Sequence, residues 1–383
     1  MRHAIKISIC FLLLALTVLT ACEKNNMPVP PATSGEHQQP GNHPGGATDS
    51  AVLRLKVAIM VGNVLYDSVP FTAIITSFNG AATVAHQNYD LPAGTNSITL
   101  HGTHDRYHIR VSKWGVSDEM TLSRQELQAM GTITLGGSKA AKKLKMEEVA
   151  TFIPATGSYQ PQGKTLYKYD GSGRLLRVIY YQKYPQHADL QLTLVDKFVY
   201  EASGRLDRID RFDASKDTTV VPASFTAFNY DGQGRVAQIY NNQTTETAAR
   251  VSYGIESGFA TISLSYYFGN NASMNYTMKF RGGNKVADGG RSSTGAGENG
   301  TYTYDSNINP YVHLSWPDLY LSHESKNNVV AQQKSYGGAY PSGDPYKFDY
   351  QYDADGYPTS KITTYKSVFS GADLYKTQTV YTY

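Results

Sequence analysis

From residue 51 onward, apolar and polar positions alternate in short runs, which is the period of β-strands. Arg106-Tyr107-His108-Ile109-Arg110-Val111 alternates cleanly and Val52–Ile59 does so in part, while Phe71–Ile75 and Asn96–Leu100 are further apolar-rich runs. Glycine, proline and the Asn79-Gly80 pair separate them. Strands at this spacing predict a small β-sandwich over 51–143. Thr121 or Ser123, with Glu126 following, predicts a single helical turn between Thr121 and Met130.

Beyond Lys145 the pattern becomes a recurring unit: aromatic-x-aromatic, an acid, a short glycine-bearing loop, then an aliphatic run. Leu166–Tyr181 reads LYKYDGSGRLLRVIYY, and Phe198–Ile209, Phe228–Ile239 and Tyr350–Pro358 repeat it. Met278–Val286 and His323–Val329 are fainter copies, and Val251–Gly254 and Tyr302–Asp305 open others. Three residues after the acid stand Gly173, Gly204, Gly234 and Gly356, with Asn284 and Asn327 in the faint copies. Gly and Asn are the residues that accept positive φ. Asp170, Glu201, Asp231 and Asp353 stand where a carboxylate can accept N–H bonds across a turn. Each copy therefore predicts a β-hairpin whose three- to five-residue loop ends in the left-handed region.

About eight hairpins make about sixteen strands, a large antiparallel β-meander over 144–383 that must curl, close or split, since twisted open sheets rarely exceed about ten. The fold class is all-β throughout. Leu206 and Ile209, like Val236 and Ile239, are spaced for opposite faces of a strand unless a bulge intervenes.

The first residues set the address. Arg2 and Lys6 precede an apolar run from Ile7 to Leu19 that is too short to span a bilayer, and Leu19-Thr20-Ala21-Cys22 closes it. This is a secretory signal over 1–21, and it resembles the bacterial lipoprotein lipobox. The resemblance implies that Cys22 is diacylated and becomes the mature N-terminus. Two acyl chains anchor stably where one is marginal. Glu23 rather than Asp follows the cysteine, which points to the outer membrane of a Gram-negative bacterium. Residues 22–50 are rich in Pro, Gly, Asn and Gln, cannot bury enough surface to fold, and form a tether of about 30 Å mean reach. The only other cysteine is Cys10, inside the signal, so the mature chain has neither disulfide nor cysteine metal site.

Formal charge is +3 with the signs interspersed, which gives no basic run for nucleic acid. The loops lack the Lys-Ser/Thr and helix of a phosphate-binding loop, the Gly-Gly-x-Gly-x-Asp run of calcium repeats, and the helices of an EF-hand. His101, His104, Asp105 and His108 are candidate zinc ligands, but Arg106 and Arg110 share the face of His108. No nucleophile elbow or His-Glu-x-x-His occurs. Carboxylates such as Asp207 and Asp210 leave a glycan hydrolase as a further alternative. No catalytic residue, metal or cofactor is assigned.

The pairs Tyr167/Tyr169, Phe198/Tyr200, Phe228/Tyr230, Tyr302/Tyr304 and Phe348/Tyr350 each occupy one face. In register they form a ladder, read here as core with hydroxyls at a wet rim. The alternative is a sugar- or peptide-binding platform, for which Tyr167, Tyr169, Tyr200, Tyr230 and Tyr304 are the candidate ligand-facing residues. The partners on these readings are the membrane, through Cys22, and a glycan or an envelope protein.

The recurring unit resembles the YD, or RHS, repeat, whose core is Tyr-Asp-x-x-Gly-Arg-Leu, over about Lys145 to Tyr383. Tyr304–Tyr311 and Tyr352–Thr359 look like segments of YD-type lipoproteins of Gram-negative bacteria with a porin-like antiparallel sheet. The resemblance implies a fold and a location, and no activity. RHS shells that enclose toxins have many more copies and a cleavable payload, and this chain has neither. Lys168 and Arg177 interrupt any outward apolar belt, against a lipid-spanning barrel.

Overall fold

A computed structural model of the protein describes residues 50–67, 69–214, 222–241, 247–268, 272–292, 297–314, 325–336, 345–367 and 370–383. The signal, Cys22, the tether as far as residue 49, Trp316 and the acid of the His323–Val329 copy lie outside them. The described chain forms two units. One runs to Lys142 and takes in Asp353–Tyr357; the other holds Lys143–Tyr352 and Pro358–Tyr383.

The first unit contains β1 (Ser50–Val61), β2 (Val64–Tyr66), β3 (Phe71–Asn79), β4 (Ala82–Leu91), β5 (Asn96–His101), β6 (Arg106–Lys113), β7 (Val116–Ser123), α1 (Arg124–Ala129) and β8 (Thr132–Lys139). They build two four-stranded sheets. In one, β1 pairs with β2 and β5 antiparallel and with β8 parallel; the other has the order β4-β3-β6-β7. Alternation buries Leu53, Leu55, Val57 and Ile59 from β1 and Tyr107, Ile109 and Val111 from β6. Ser123 caps α1: its hydroxyl accepts the Glu126 N–H, and the Glu126 carboxylate accepts the Ser123 N–H, a capping box.

In the second unit, β9 (Met146–Ile153), β10 (Ser158–Tyr169), β11 (Leu175–Gln182), β12 (Gln191–Tyr200), β13 (Leu206–Asp213), β14 (Ser224–Tyr230), β15 (Val236–Asn241) and β16 (Thr247–Glu256) follow one another as antiparallel neighbours. β17 (Phe259–Phe268), β18 (Ala272–Arg281), β19 (Asn284–Ser292), β20 (Gly297–Ile308), β21 (Asn327–Tyr336), β22 (Tyr346–Tyr352), β23 (Pro358–Lys366) and β24 (Asp373–Thr382) continue the meander. β24 returns to β9, Thr377 opposite Thr151 through Thr382 opposite Met146, so the sixteen strands close into a barrel. Closure pairs every strand on both sides and removes the edges that an open sheet would expose.

A bulge settles the spacing of Leu206 and Ile209. Tyr200 faces Leu206 and Val199 faces Arg208, so Asp207 is the extra residue and both aliphatic side chains reach the core. Leu176, Ala237 and Thr359 are the extra residues of the equivalent hairpins. The barrel core joins Tyr167, Leu175, Val178, Phe198, Leu206, Ile209, Phe228 and Val236, with Tyr169, Tyr200 and Tyr230 packed against it half-buried rather than fully buried. On the other face, Lys168 stands opposite Arg177 and Arg177 opposite Lys197, all three exposed.

Two expectations need correction. Asn284 and Asn327 are not left-handed. The β18–β19 hairpin turns on Gly282 and Gly283, with φ of 57° and 82°, so positive φ is supplied before Asn284 is reached. Asn284 and Asn327 are instead strand residues joined through their amides at 2.9 Å.

Candidate functional site: the tyrosine ladder

The repeated turn has one geometry. The Gly173 N–H donates to the Asp170 carbonyl at 2.9 Å and the Asp170 N–H to the Arg174 carbonyl at 2.9 Å; Glu201 and Asp231 open identical loops. Gly173, Gly204, Gly234 and Gly356 have φ of 83°, 86°, 78° and 82°, the position where a three-residue hairpin loop needs a left-handed residue. The acid sits beneath the loop. Asp170 Oδ1 accepts from the Ser172 N–H and hydroxyl and from the Arg174 N–H, and Oδ2 accepts from Arg174 Nε. The Ser172 hydroxyl first, then the Arg174 N–H and guanidinium, hold this carboxyl well below its usual range. Asp231 repeats the arrangement with Gln233 and Arg235. In the fourth copy Tyr357 replaces the arginine, and Lys142 Nζ reaches Asp353 Oδ2 at 2.7 Å instead.

The arginine also looks outward from its own hairpin. The Arg174 guanidinium lies over the Tyr200 ring at 4.8 Å, Arg205 over Tyr230 at 4.9 Å and Arg235 over Tyr253 at 4.2 Å; Lys143 lies over Tyr169 at 5.3 Å. Each covered tyrosine then donates its hydroxyl to the carbonyl that follows the cation: Tyr169 to Leu144, Tyr200 to Leu175 and Tyr230 to Leu206, all at 2.6 Å, and Tyr253 to Val236 at 3.0 Å. Tyr304 to Lys285 and Tyr383 to Pro358 repeat the hydroxyl contact.

The backbone explains why a hydroxyl is needed there. Pairing of β11 with β12 stops at Arg177–Lys197, of β13 with β14 at Arg208–Ala227, and of β15 with β16 at Gln238–Arg250. Leu175, Leu206 and Val236, the strand residues nearest each turn, thus have no partner on the following strand, and a buried carbonyl left unpaired is costly. The tyrosine of the next hairpin supplies the missing donor.

Of the candidate ligand-facing residues, Tyr169, Tyr200, Tyr230 and Tyr304 are rungs, and Tyr167 is buried with its hydroxyl on Glu147 Oε2 at 3.0 Å. Burial pushes the Tyr200 and Tyr230 phenols up to about 12. Sequence reasoning misses the rung at Tyr253, although Val251–Gly254 opens a copy of the unit. It also misses the arginine, whose recurrence at 174, 205 and 235 is the available signal.

Carboxylates inside the barrel are held by tyrosine and cationic side chains. Asp196 takes Arg211 at 2.7 and 2.8 Å and the Tyr180 hydroxyl at 3.1 Å. Asp288 takes Lys285 at 2.9 Å and the hydroxyls of Tyr302 and Tyr276. Glu147 accepts from Tyr167 and Tyr311, yet burial dominates and raises its pKa. Elsewhere Asp210 is taken up by Arg208 at 2.9 Å. In the first unit, His108 bonds Thr121 and Asp105 accepts the Gly80 N–H, so these two candidate zinc ligands serve local contacts.

The ladder is interrupted once along this arc. The β16–β17 turn is Ser257-Gly258, with φ of 50° and 80° and no following arginine, and the aromatic nearest the β18–β19 turn is Phe280, which has no hydroxyl. Here the strands pair closer to their turns, Glu256 with Phe259 and Ala260 with Phe280, so the two-residue gap found beside the other turns is absent. An open cavity of about 830 Å³ occupies the gap, walled by Tyr230, Val236, Tyr253, Ile262 and Phe280 and rimmed by Arg235, Thr261, Gly282 and Gly283. Of its aromatic walls, Tyr230 and Tyr253 carry Arg205 and Arg235 over their rings.

No family model matches the sequence, and no curated protein matches it. Among solved structures, the fold is similar to a porin-like protein from Bacteroides uniformis ATCC 8492, at 14% identity and a TM-score of 0.40 over 62% of this chain and 97% of that one. It is also similar to a porin-like protein from Bacteroides vulgatus ATCC 8482, at 12% identity and a TM-score of 0.36 over 63% of this chain and 99% of that one.

Proposed function

We propose that this chain is an exported envelope protein of a Gram-negative bacterium, anchored at the outer membrane by lipid on Cys22. Its role is structural or binding rather than catalytic. On this reading residues 22–50 are the tether, the two sheets of the first unit form a β-sandwich, and the barrel is a closed ring of YD-type hairpins. The single observation that carries the structural role is the commitment of Tyr169, Tyr200, Tyr230 and Tyr253, whose rings lie under a cation and whose hydroxyls are spent on a neighbouring carbonyl. The charged row Lys168, Arg177 and Lys197 favours water over lipid outside the strands. A second reading, a carbohydrate-binding lipoprotein, is favoured by the aromatic cavity beside Tyr253 and Phe280.

The anchor is tested by Cys22→Ser. The parent chain should partition into detergent and show acyl mass by mass spectrometry, and the variant should do neither. A parent chain without acyl mass would contradict the reading. Retention of the parent on immobilised polysaccharide, lost on Tyr253→Ala without a change in melting, would shift the role to the second reading.

A further inference from the structure

A sheet edge presents unpaired N–H and C=O groups, and folded chains guard it with short strands, charges, proline, bulges or closure. Among the described residues the barrel presents no edge, because β24 returns to β9. In the first unit β2 has three residues and β5 six, β8 ends on Lys139, and β7 carries Asp118 and Glu119 and runs into α1. β4 is different. It is ten residues long, pairs only with β3 among the described residues, and is exposed over most of its length on both faces. Its sequence, ATVAHQNYDL, contains no proline and no lysine. A bulge at Val84, where Phe78 faces Thr83 and Ser77 faces Ala85, ends the regular stretch and leaves Ala85–Leu91 straight.

We propose that Ala85–Leu91 is an interface between two copies of this chain, paired antiparallel about a two-fold axis at Asn88. The outward backbone groups belong to alternate residues, so a symmetric antiparallel pair must have a residue, not a peptide bond, on its axis. Asn88 is the axis that uses the whole straight stretch. That register sets His86 of each copy opposite Asp90 of the other, Gln87 opposite Tyr89, and Ala85 opposite Leu91. His86 and Asp90 share a face, beside Thr76 at 3.0 Å and Thr72 at 2.9 Å. Each imidazole therefore meets a carboxylate and no like charges face one another. Moving the axis to Gln87 would set Asp90 against the bulged Val84 and His86 against Asn88. Overlap and charge thus select the same register, and the partner they select is an identical strand.

The test uses the full chain in detergent. Directly opposed residues of an antiparallel pair have Cα atoms about 4.5–5.5 Å apart, within disulfide reach. Mild oxidation of Asn88→Cys should therefore trap a covalent dimer well above the level given by the unsubstituted chain and by Thr83→Cys. In sedimentation, His86→Glu or Asp90→Lys alone should weaken the dimer roughly two- to thirtyfold, two contacts being lost at once. The double substitution restores opposite charges and should recover the association. Unchanged thermal melts establish that each variant folds, and the charge pair stands as a test even where Asn88→Cys does not fold. A chain that stays monomeric at every concentration without an enriched crosslink would overturn the proposal, as would a double substitution that associates no better than the single ones.

Discussion

At Gly234 the backbone φ is +78°, and a Cβ built there would meet nothing within 4 Å. Any loss on substitution is therefore the cost of the left-handed backbone alone. Gly234→Val should lower stability by about 1–2 kcal/mol, and Gly234→Asn by clearly less, in denaturant melts. Equal losses would mean that the position is not left-handed. The tyrosine phenols give a second residue-scale expectation. Tyr200 and Tyr230 are raised to about 12 in the fold, first by burial, against an ordinary value of about 10. A folded pKa above the unfolded one gives stability that is complete below about pH 10 and is lost as pH rises through about 12. Phenolate absorbance and circular dichroism followed together should show these rings ionising only as the barrel loosens. The double variant Tyr200→Phe, Tyr230→Phe should reduce that alkaline sensitivity. Phenolate signals complete near pH 10 in an intact barrel would contradict the burial of these rungs.

Between neighbouring hairpins, Arg174 does two things at once: Nε pairs with Asp170 in its own turn, while the guanidinium plane covers Tyr200 of the next. A double-mutant cycle of Arg174→Ala with Tyr200→Phe and Tyr200→Ala separates the ring contact from the hydroxyl bond. Coupling of about 0.5–1 kcal/mol should appear with Tyr200→Ala and largely vanish with Tyr200→Phe, which keeps the ring. Coupling of the same size with both would place the interaction on the hydroxyl. What the sequence made legible divides along this line. The acid, the loop and Gly173 lie within a few residues of each other, so one turn's chemistry shows in one copy. The partner of Tyr200 is Leu175, 25 residues away, and that of Tyr230 is Leu206, 24 away. Contacts at that distance depend on which strands are neighbours, which a single hairpin does not reveal. The faint copies failed for a related reason. Asn284 matches the glycine position in spacing, but Gly282 and Gly283 make a tighter turn and shift the register.

On the scale of the molecule, the meander had to curl, close or split, and pairing of β9 with β24 closes it. No local pattern announces a pairing between the two ends of a unit, so closure was beyond the sequence while strand number was not. Closed, the sheet leaves its inner face to a core of aliphatic and tyrosine side chains with paired charges among them. The bulge beside the Glu201 turn brings both Leu206 and Ile209 into that core at the expense of strand pairing, and the Tyr230 hydroxyl restores the missing donor. The most direct measurement is therefore equilibrium unfolding of a variant with Tyr169, Tyr200, Tyr230 and Tyr253 all changed to Phe, which keeps every ring and removes four hydroxyls. At about 0.5–1.5 kcal/mol for each bond, the account predicts a loss of roughly 2–6 kcal/mol. An unchanged unfolding midpoint would contradict it, because the hydroxyls would then be incidental to how the hairpins are joined.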